Sequence, residues 1–387
     1  MSDGSSETGS TAGAGEPRDV LRTRLVELLG CRYPIVQTGM GWVSGANLTA
    51  ATSAAGGLGI LASITMTDAQ FREAVASVKA KTDAPFGANF RAGQPDLDER
   101  IAFATKEGIR LFSFAGAPTK DAIAKIHDAG GLVMPTVGAR RHAEKMAEWG
   151  VDAVIAQGGE GGGHTGSVPT SLLLPQVVEA VGEQIPVVGA GGFHSGAGLV
   201  AALAYGADGV AMGTRFLLTQ ESRVPEAIKG DYTKATVFDT VVTTALDGAP
   251  QRVIRTELID GLEKASIVTR LPKAAVKALE FRKQTGTSLK ELWAEGLAMR
   301  KSQDLTWAQL AMAANAPMLI KTALVDGDAS VGVLPTGQVT GVIDDLPTVA
   351  DLLEQIIGEV DFDRRKALAA EGIEIMDGPS GSTWRRI

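Results

Sequence analysis

The sequence predicts a closed (β/α)8 TIM barrel with an added, mostly helical C-terminal lobe, on three observations. Short apolar runs recur along the first 220 residues with helical stretches between them. The runs are continuous instead of alternating, as strands covered on both faces require. Strand–helix alternation implies a parallel sheet, and eight such units favour a closed barrel over an open doubly wound sheet. Several helical stretches also stop at a glycine just before the next run: Glu107-Gly108, Ala129-Gly130, Trp149-Gly150 and Tyr205-Gly206. Glycine enters the left-handed conformation without a Cβ penalty and so ends helices.

In order, residues 1–18 are rich in Gly, Ser, Ala, Thr and acids. They bury too little apolar area to order themselves and read as a disordered tail. The barrel is expected over 19–220. Its strands are expected at Tyr33–Gln37, Leu58–Ala62, Pro85–Phe90, Ile109–Phe114, Leu132–Thr136, Asp152–Gln157, Ile185–Gly189 and Asp208–Met212. Helical periodicity marks Asp68–Lys79, Thr119–Ala129 and Ala139–Trp149. Residues 221–330 read as a mostly helical substrate lobe. Within it, residues 251–301 hold 11 Lys or Arg against 6 Asp or Glu, a basic island in a chain of net charge −8. Residues 331–360 read as a return segment, with an amphipathic helix over Leu346–Ile357 packing back on the barrel. The last residues, 361–387, read as a tail, and Asp377-Gly-Pro-Ser-Gly-Ser-Thr as disordered.

Composition excludes several classes. The acidic balance argues against nucleic-acid binding. No apolar run approaches the roughly 20 residues of a membrane span, and no signal peptide is recognisable. A single cysteine, Cys31, rules out an internal disulfide framework and fits a reducing cytoplasm; it precedes an apolar run and reads as inert packing. The expected partner is a small molecule, and a homo-oligomer is compatible with the composition.

In such a barrel the active site lies at the C-terminal ends of the strands, and the chemically notable residues fall there. Met40, Gly41 and Trp42 follow the first run; Asn89 and Arg91 close the third. Gln157-Gly-Gly-Glu-Gly-Gly-Gly-His164 follows the sixth, a bare main chain carrying one imidazole. Gly191-Gly192-Phe193 follows the seventh, and Met212-Gly213-Thr214-Arg215 the eighth. The last two positions commonly hold a phosphate, because unpaired N–H groups at small residues bind an anion. That suits a phosphorylated cofactor or a sugar-phosphate substrate. The Asn89 and Gln157 amides both donate and accept, as the heteroatom edge of a flavin requires. Glu160 is a second candidate acid or base, or a group that orients the loop or faces solvent. His164 and His194 follow consecutive strands, but no carboxylate or cysteine cluster beside them supports a metal. Gly161 to Gly166 match G-x-G-x-x-G only formally, in the wrong unit for a dinucleotide fold. A non-redox aldolase or isomerase would need a Schiff-base lysine or a metal-binding acid at a strand end, and those ends carry amides, glycine and histidine.

Six motifs in order resemble the nitronate monooxygenase (2-nitropropane dioxygenase) family. They are Pro34-Ile-Val-Gln-Thr-Gly-Met-Gly, Ala54-Ala-Gly-Gly-Leu-Gly-Ile-Leu, Pro85-Phe-Gly-Ala-Asn, Gln157-Gly-Gly-Glu-Gly-Gly-Gly-His, Gly189-Ala-Gly-Gly and Gly209-Val-Ala-Met-Gly-Thr-Arg-Phe. The resemblance implies an FMN-binding barrel, with contacts from Met40, Gly41, Asn89, Gln157, Gly162, Gly163, Gly191, Gly192, Ala211, Met212, Gly213 and Thr214. It implies His164 as the catalytic histidine. The stretches Val241-Val-Thr-Thr, Gln251-Arg-Val-Ile-Arg-Thr-Glu-Leu, Glu295-Gly-Leu-Ala-Met-Arg and Thr306-Trp-Ala-Gln-Leu resemble an actinobacterial branch of the family. That branch includes a flavin enzyme oxidising a hydroxylated indane-carboxyl-CoA in steroid ring C and D breakdown. The basic island then fits a CoA phosphate tail, with Trp42, Arg91, Arg215, Arg252 and Arg255 as substrate contacts. The expected reaction is oxidation of a cyclic acyl-CoA thioester with hydride transfer to flavin. Nitronate oxidation with oxygen is the alternative, and enoyl-thioester reduction a lesser one.

Overall fold

The computed structural model describes residues 21–264, 307–370, 373–378 and 381–386. The expected N-terminal tail, Glu295-Gly-Leu-Ala-Met-Arg and most of the basic island lie outside the described residues. Eight parallel strands close into a ring: β1 (Ile35–Gln37), β2 (Leu58–Ala62), β3 (Phe86–Phe90), β4 (Leu111–Phe114), β5 (Leu132–Val137), β6 (Val154–Gln157), β8 (Val187–Ala190) and β9 (Gly209–Met212). β1 pairs with β9 to seal it, and the two-residue β7 (Gly163–His164) stands outside. Each expected run supplies one barrel strand. Every residue of β2, β4, β8 and β9 is buried, which is why their sequences do not alternate.

The helices outside the ring are α1 (Arg24–Leu29), α2 (Ala46–Ala54), α3 (Asp68–Lys79), α4 (Leu97–Lys106), α5 (Lys120–Asp128), α6 (Arg140–Glu148), α7 (Thr170–Val181), α8 (Gly196–Ala204) and the single turn α9 (Thr214–Leu217). Their starts are written in the sequence. Thr67 and Gln70 form a reciprocal capping box on α3, Thr119 caps α5 and Ser195 caps α8. Their ends are too: Gly108, Gly130, Gly150 and Gly206 all take φ between 77° and 87°.

The two ends of the barrel differ. α1 closes the N-terminal end. Its Leu25 and Leu29 join Val36, Ile60, Met134, Ile155 and Val188 in one interior cluster. Arg24 grips the Asp208 carboxylate through Nε (3.1 Å) and Nη2 (2.9 Å). Cys31 lies in this plug, and burial pushes its thiol up to about 11. It therefore stays protonated at neutral pH, and the thiolate is the reactive form. Thiol reagents at pH 8 are expected to leave native Cys31 unmodified and to label it at once in denaturant; rapid native labelling would show that the plug opens.

Beyond the barrel come α10 (Glu226–Lys234), β10 (Thr240–Thr243), β11 (Gln251–Ile254), α11 (Glu257–Lys264), α12 (Trp307–Leu324) and α13 (Val349–Ala370). The segment expected to be mostly helical thus contains a hairpin: β10 pairs antiparallel with β11, and β11 with β7. The expected return helix is α13. It packs on α8 and α2, burying Leu352, Leu353, Ile356 and Val360. Gly196 permits the approach, since a Cβ there would meet Val360 N at 2.9 Å, and its own N–H donates to Glu359 Oε2 (2.6 Å). The C-terminus departs from the expected tail. β12 (Ile373–Gly378) and β13 (Gly381–Arg386) form an antiparallel hairpin. Gly378 pairs with Gly381 at its closed end, so Asp377, Gly378, Gly381, Ser382 and Thr383, expected to be disordered, belong to two paired strands. No helix among the described residues is long and apolar enough to cross a membrane.

Candidate active site

The strand register puts the expected residues on one rim. Asn89 stands opposite Ala62 on one side and Ser113 on the other; Gln157 stands opposite Ala190, and Ala190 opposite Ala211. Asn89 is only 5% exposed. Its Nδ2 donates to Ser113 O at 3.4 Å, and its Oδ1 has no partner among the described residues. An orphaned buried acceptor costs about 1–3 kcal/mol, so this oxygen is poised to receive an N–H from a bound group. Gly191 and Gly192 both take left-handed backbone, φ 88° and 82°. Among the described residues, a Cβ on Gly192 would find only Glu160 Cβ, at 3.9 Å. Beside them, Gly213 lies against Thr38 Oγ1 and Met40 Sδ, which a Cβ would meet at 3.3 and 3.4 Å. An unsatisfied amide oxygen, bare main chain at two neighbouring strand ends and small residues between them fit a flat, phosphorylated cofactor.

Across this rim lies the glycine loop. Gln157 Nε2 donates to His164 O (2.8 Å), tying the loop's far end back to β6. β7 carries His164 into the ladder with β11, opposite Gln251. The imidazole is exposed, and its Nε2 lies 2.7 Å from Asp247 Oδ2. Asp247 was not a sequence candidate: it is 83 residues away, in an Asp-Gly-Ala-Pro turn. Glu160 is spent on structure. Its carboxylate accepts from Thr170 N (2.9 Å) and Oγ1 (2.7 Å) at the first turn of α7, where a negative charge is favoured. The loop-orienting reading of Glu160 therefore holds.

The expected substrate residues separate. Trp42 is the one non-glycine residue with positive φ among those described, 64°. It is held there by Thr65 Oγ1, which accepts from Trp42 N (3.1 Å), and by Arg223 Nε, which donates to Trp42 O (2.7 Å). Strain of this kind concentrates at functional rims. Arg91 lies beside Ser63, Gln94 and Arg100 in a small rim cavity. Arg252 donates twice to Gly159 O, from Nη2 at 2.8 Å and Nε at 3.2 Å, and so anchors the glycine loop. Arg215 is buried and donates to Asp345 Oδ1 (2.6 Å), Leu218 O (2.8 Å) and Asp345 O (3.0 Å), strapping the return segment to α9. These two guanidinium groups are committed to protein oxygens, against the expectation that they meet substrate. Arg255 pairs with Asp260 at 3.0 Å on the surface. Thr214 Oγ1 accepts from Gly337 N (2.9 Å), a return-segment contact invisible in the sequence.

No cluster of three or more His, Cys, Asp or Glu able to hold a metal occurs among the described residues. The His194 ring is held below the usual histidine range by burial and then by Arg215.

A family model described as nitronate monooxygenase matches residues 22–359. The chain is 54% identical over 338 residues to a Mycobacterium tuberculosis protein named (3aS,4S,5R,7aS)-5-hydroxy-7a-methyl-1-oxo-octahydro-1H-indene-4-carboxyl-CoA dehydrogenase, covering 87% of this chain and 95% of that one. It is 54% identical over 339 residues to the Rhodococcus jostii protein of the same name, covering 88% and 96%. Among solved structures it is similar to FabK from Thermotoga maritima, with TM-score 0.73 and 33% identity over 90% of this chain and 99% of that one. The barrel, its glycine rim and these likenesses agree, and the chain belongs to the nitronate monooxygenase family of oxidoreductases.

Proposed function

We propose that the chain is an FMN-dependent oxidoreductase acting on a bulky cyclic acyl-CoA thioester, of the hydroxylated indane-carboxyl type met in steroid ring C and D breakdown. The reading is carried by an exposed imidazole, His164, on the glycine loop after β6, together with a buried, unpartnered amide oxygen that suits an N–H of a flavin ring and left-handed glycines that suit its phosphate. The names of the Mycobacterium and Rhodococcus relatives support the substrate class. Asn89 and Gln157 would hold the ring edge; Gly191, Gly192, Gly213 and Thr214 would hold the phosphate. FMN, when bound, supplies the two-electron acceptor. His164 would take the proton of the substrate hydroxyl as the carbon–oxygen double bond forms, the usual task of an imidazole near neutrality. Trp42 and Arg91 would line the approach, and the basic residues of 251–301 other than the engaged Arg252 and Arg255 would offer positive charge to the CoA phosphates.

Family membership favours a second reading, oxidation of alkyl nitronates, in which His164 would orient the anion, or would take the proton beside the nitro group where the neutral nitroalkane binds first. Both are tested by one experiment. The purified protein is expected to show a flavin spectrum and to release FMN on denaturation. Under anaerobic conditions a hydroxyindane-carboxyl-CoA thioester is expected to bleach the flavin, and alkyl nitronates to do so slowly or not at all. Rapid bleaching by nitronates alone selects the second reading. A colourless protein that takes up no added FMN defeats both.

A further inference from the structure

His164 is open to solvent, yet one of its ring nitrogens is already engaged. Nε2 lies 2.7 Å from Asp247 Oδ2, and the partner is a built-in group: the Asp247 side chain is 12% exposed against 65% for His164. Asp247 Oδ1 accepts from Ala249 N (3.0 Å), and Oδ2 also accepts from Gln251 Nε2 (2.6 Å). Gln251 is the residue opposite His164 in the β7–β11 ladder. One register therefore fixes the imidazole and the amide that steadies its partner. The hairpin is also pinned to the glycine loop by Thr165 N donating to Pro250 O (3.1 Å) and by Arg252 gripping Gly159 O. A surface ion pair, with both side chains in water, contributes about 0–1 kcal/mol and fixes little; a carboxylate held by two other donors does not wander.

An ionised carboxylate only accepts hydrogen bonds. The hydrogen between the two groups then belongs to His164 Nε2, and in the neutral ring the lone pair is left on Nδ1. We infer that Asp247 is a positioning residue that locks His164 in its Nε2–H tautomer and makes Nδ1 the atom that takes the substrate proton. The inference rests on the reading of His164 as the proton-handling group. It gives the lobe a part in the chemistry: the base comes from a barrel loop, and the group that orients it from a hairpin roughly 80 residues later.

The test uses the FMN-loaded full chain labelled with [15N]histidine. The His164 ring signals are assigned by their loss in His164→Asn. The neutral His164 ring is expected to be the Nε2–H tautomer in the native protein and to shift toward Nδ1–H in Asp247→Asn. In that variant the rate of flavin reduction by substrate should fall about 10- to 100-fold, below the loss at a fully buried triad because this ring is exposed, with KM and bound FMN little changed. Asp247→Ala repeats the measurement if the Asn variant folds poorly, and the native spectrum is decisive by itself. A native ring mainly in the Nδ1–H tautomer overturns the inference. So does an Asp247→Asn protein with native rate and tautomer. A slow His164→Ala beside an Asp247→Asn of native rate would leave the proton-handling role standing and remove only the positioning one. Native rates in both would overturn both.

Discussion

Replacing His164 by Ala is expected to slow flavin reduction by about 10²–10⁴ while FMN stays bound, the usual cost of losing a general acid or base. The structure says why fold and cofactor should survive. The loop around His164 is held through its own main chain: the Gln157 side-chain amide donates to His164 O, β7 pairs with β11, and Thr165 N donates to Pro250 O. None of these needs the imidazole. Asp247 keeps the Ala249 and Gln251 donors after the truncation, so no bare charge is left in a half-closed turn. The ring is exposed, so little apolar area is lost. A loss of rate at constant flavin content and nearly constant melting temperature therefore isolates proton transfer. Anaerobic stopped-flow reduction beside the flavin spectrum measures both. Native turnover would reduce His164 to a strut of its loop.

That contrast also marks where the sequence is legible. A strand buried on both faces announces itself by composition, and Leu58–Ala62 forms over the residues expected. Helix ends announce themselves where glycine must turn left-handed, as at Gly108 and Gly206. The site is legible to the degree that it is local: His164 and its glycines form one run, and Asn89 and Gln157 are strand-end amides. What failed is pairing at a distance. Arg252 carries the charge of a phosphate ligand, and no local signal says its guanidinium will meet the Gly159 carbonyl 93 residues back. Asp247 sits in a turn like any other until β11 aligns with β7. The β10–β11 hairpin did have a signal, two β-branched runs around Asp247-Gly248, but helical periodicity on both sides hid it. The C-terminal hairpin was missed because the glycines that pair at its closed end, Gly378 and Gly381, are equally common in disordered tails.

The cradle makes the second large prediction, since it depends on a residue that is not there. Gly192→Leu places a side chain where the backbone has φ 82° and where, among the described residues, only Glu160 Cβ lies within 4 Å. The left-handed conformation costs a non-glycine residue about 1–2 kcal/mol. With no atom of the described residues in the way, the chain should still fold and melt a few degrees lower. The open space is the one proposed for the cofactor phosphate, and filling it removes charge-assisted contacts of about 1.5–3 kcal/mol each. Two such contacts amount to roughly a 10²–10⁴-fold loss of FMN affinity. The variant is therefore expected to purify colourless and to bind added FMN weakly in a fluorescence titration. Gly150→Leu is the matched control. Gly150 has φ 84° and equally open surroundings, but it ends α6 before β6 begins, at the opposite face of the barrel. It should carry the same backbone cost and remain yellow. Native FMN affinity in Gly192→Leu would move the phosphate to another part of the rim. Equal losses in both variants would trace the effect to backbone strain, with no cradle needed to explain it.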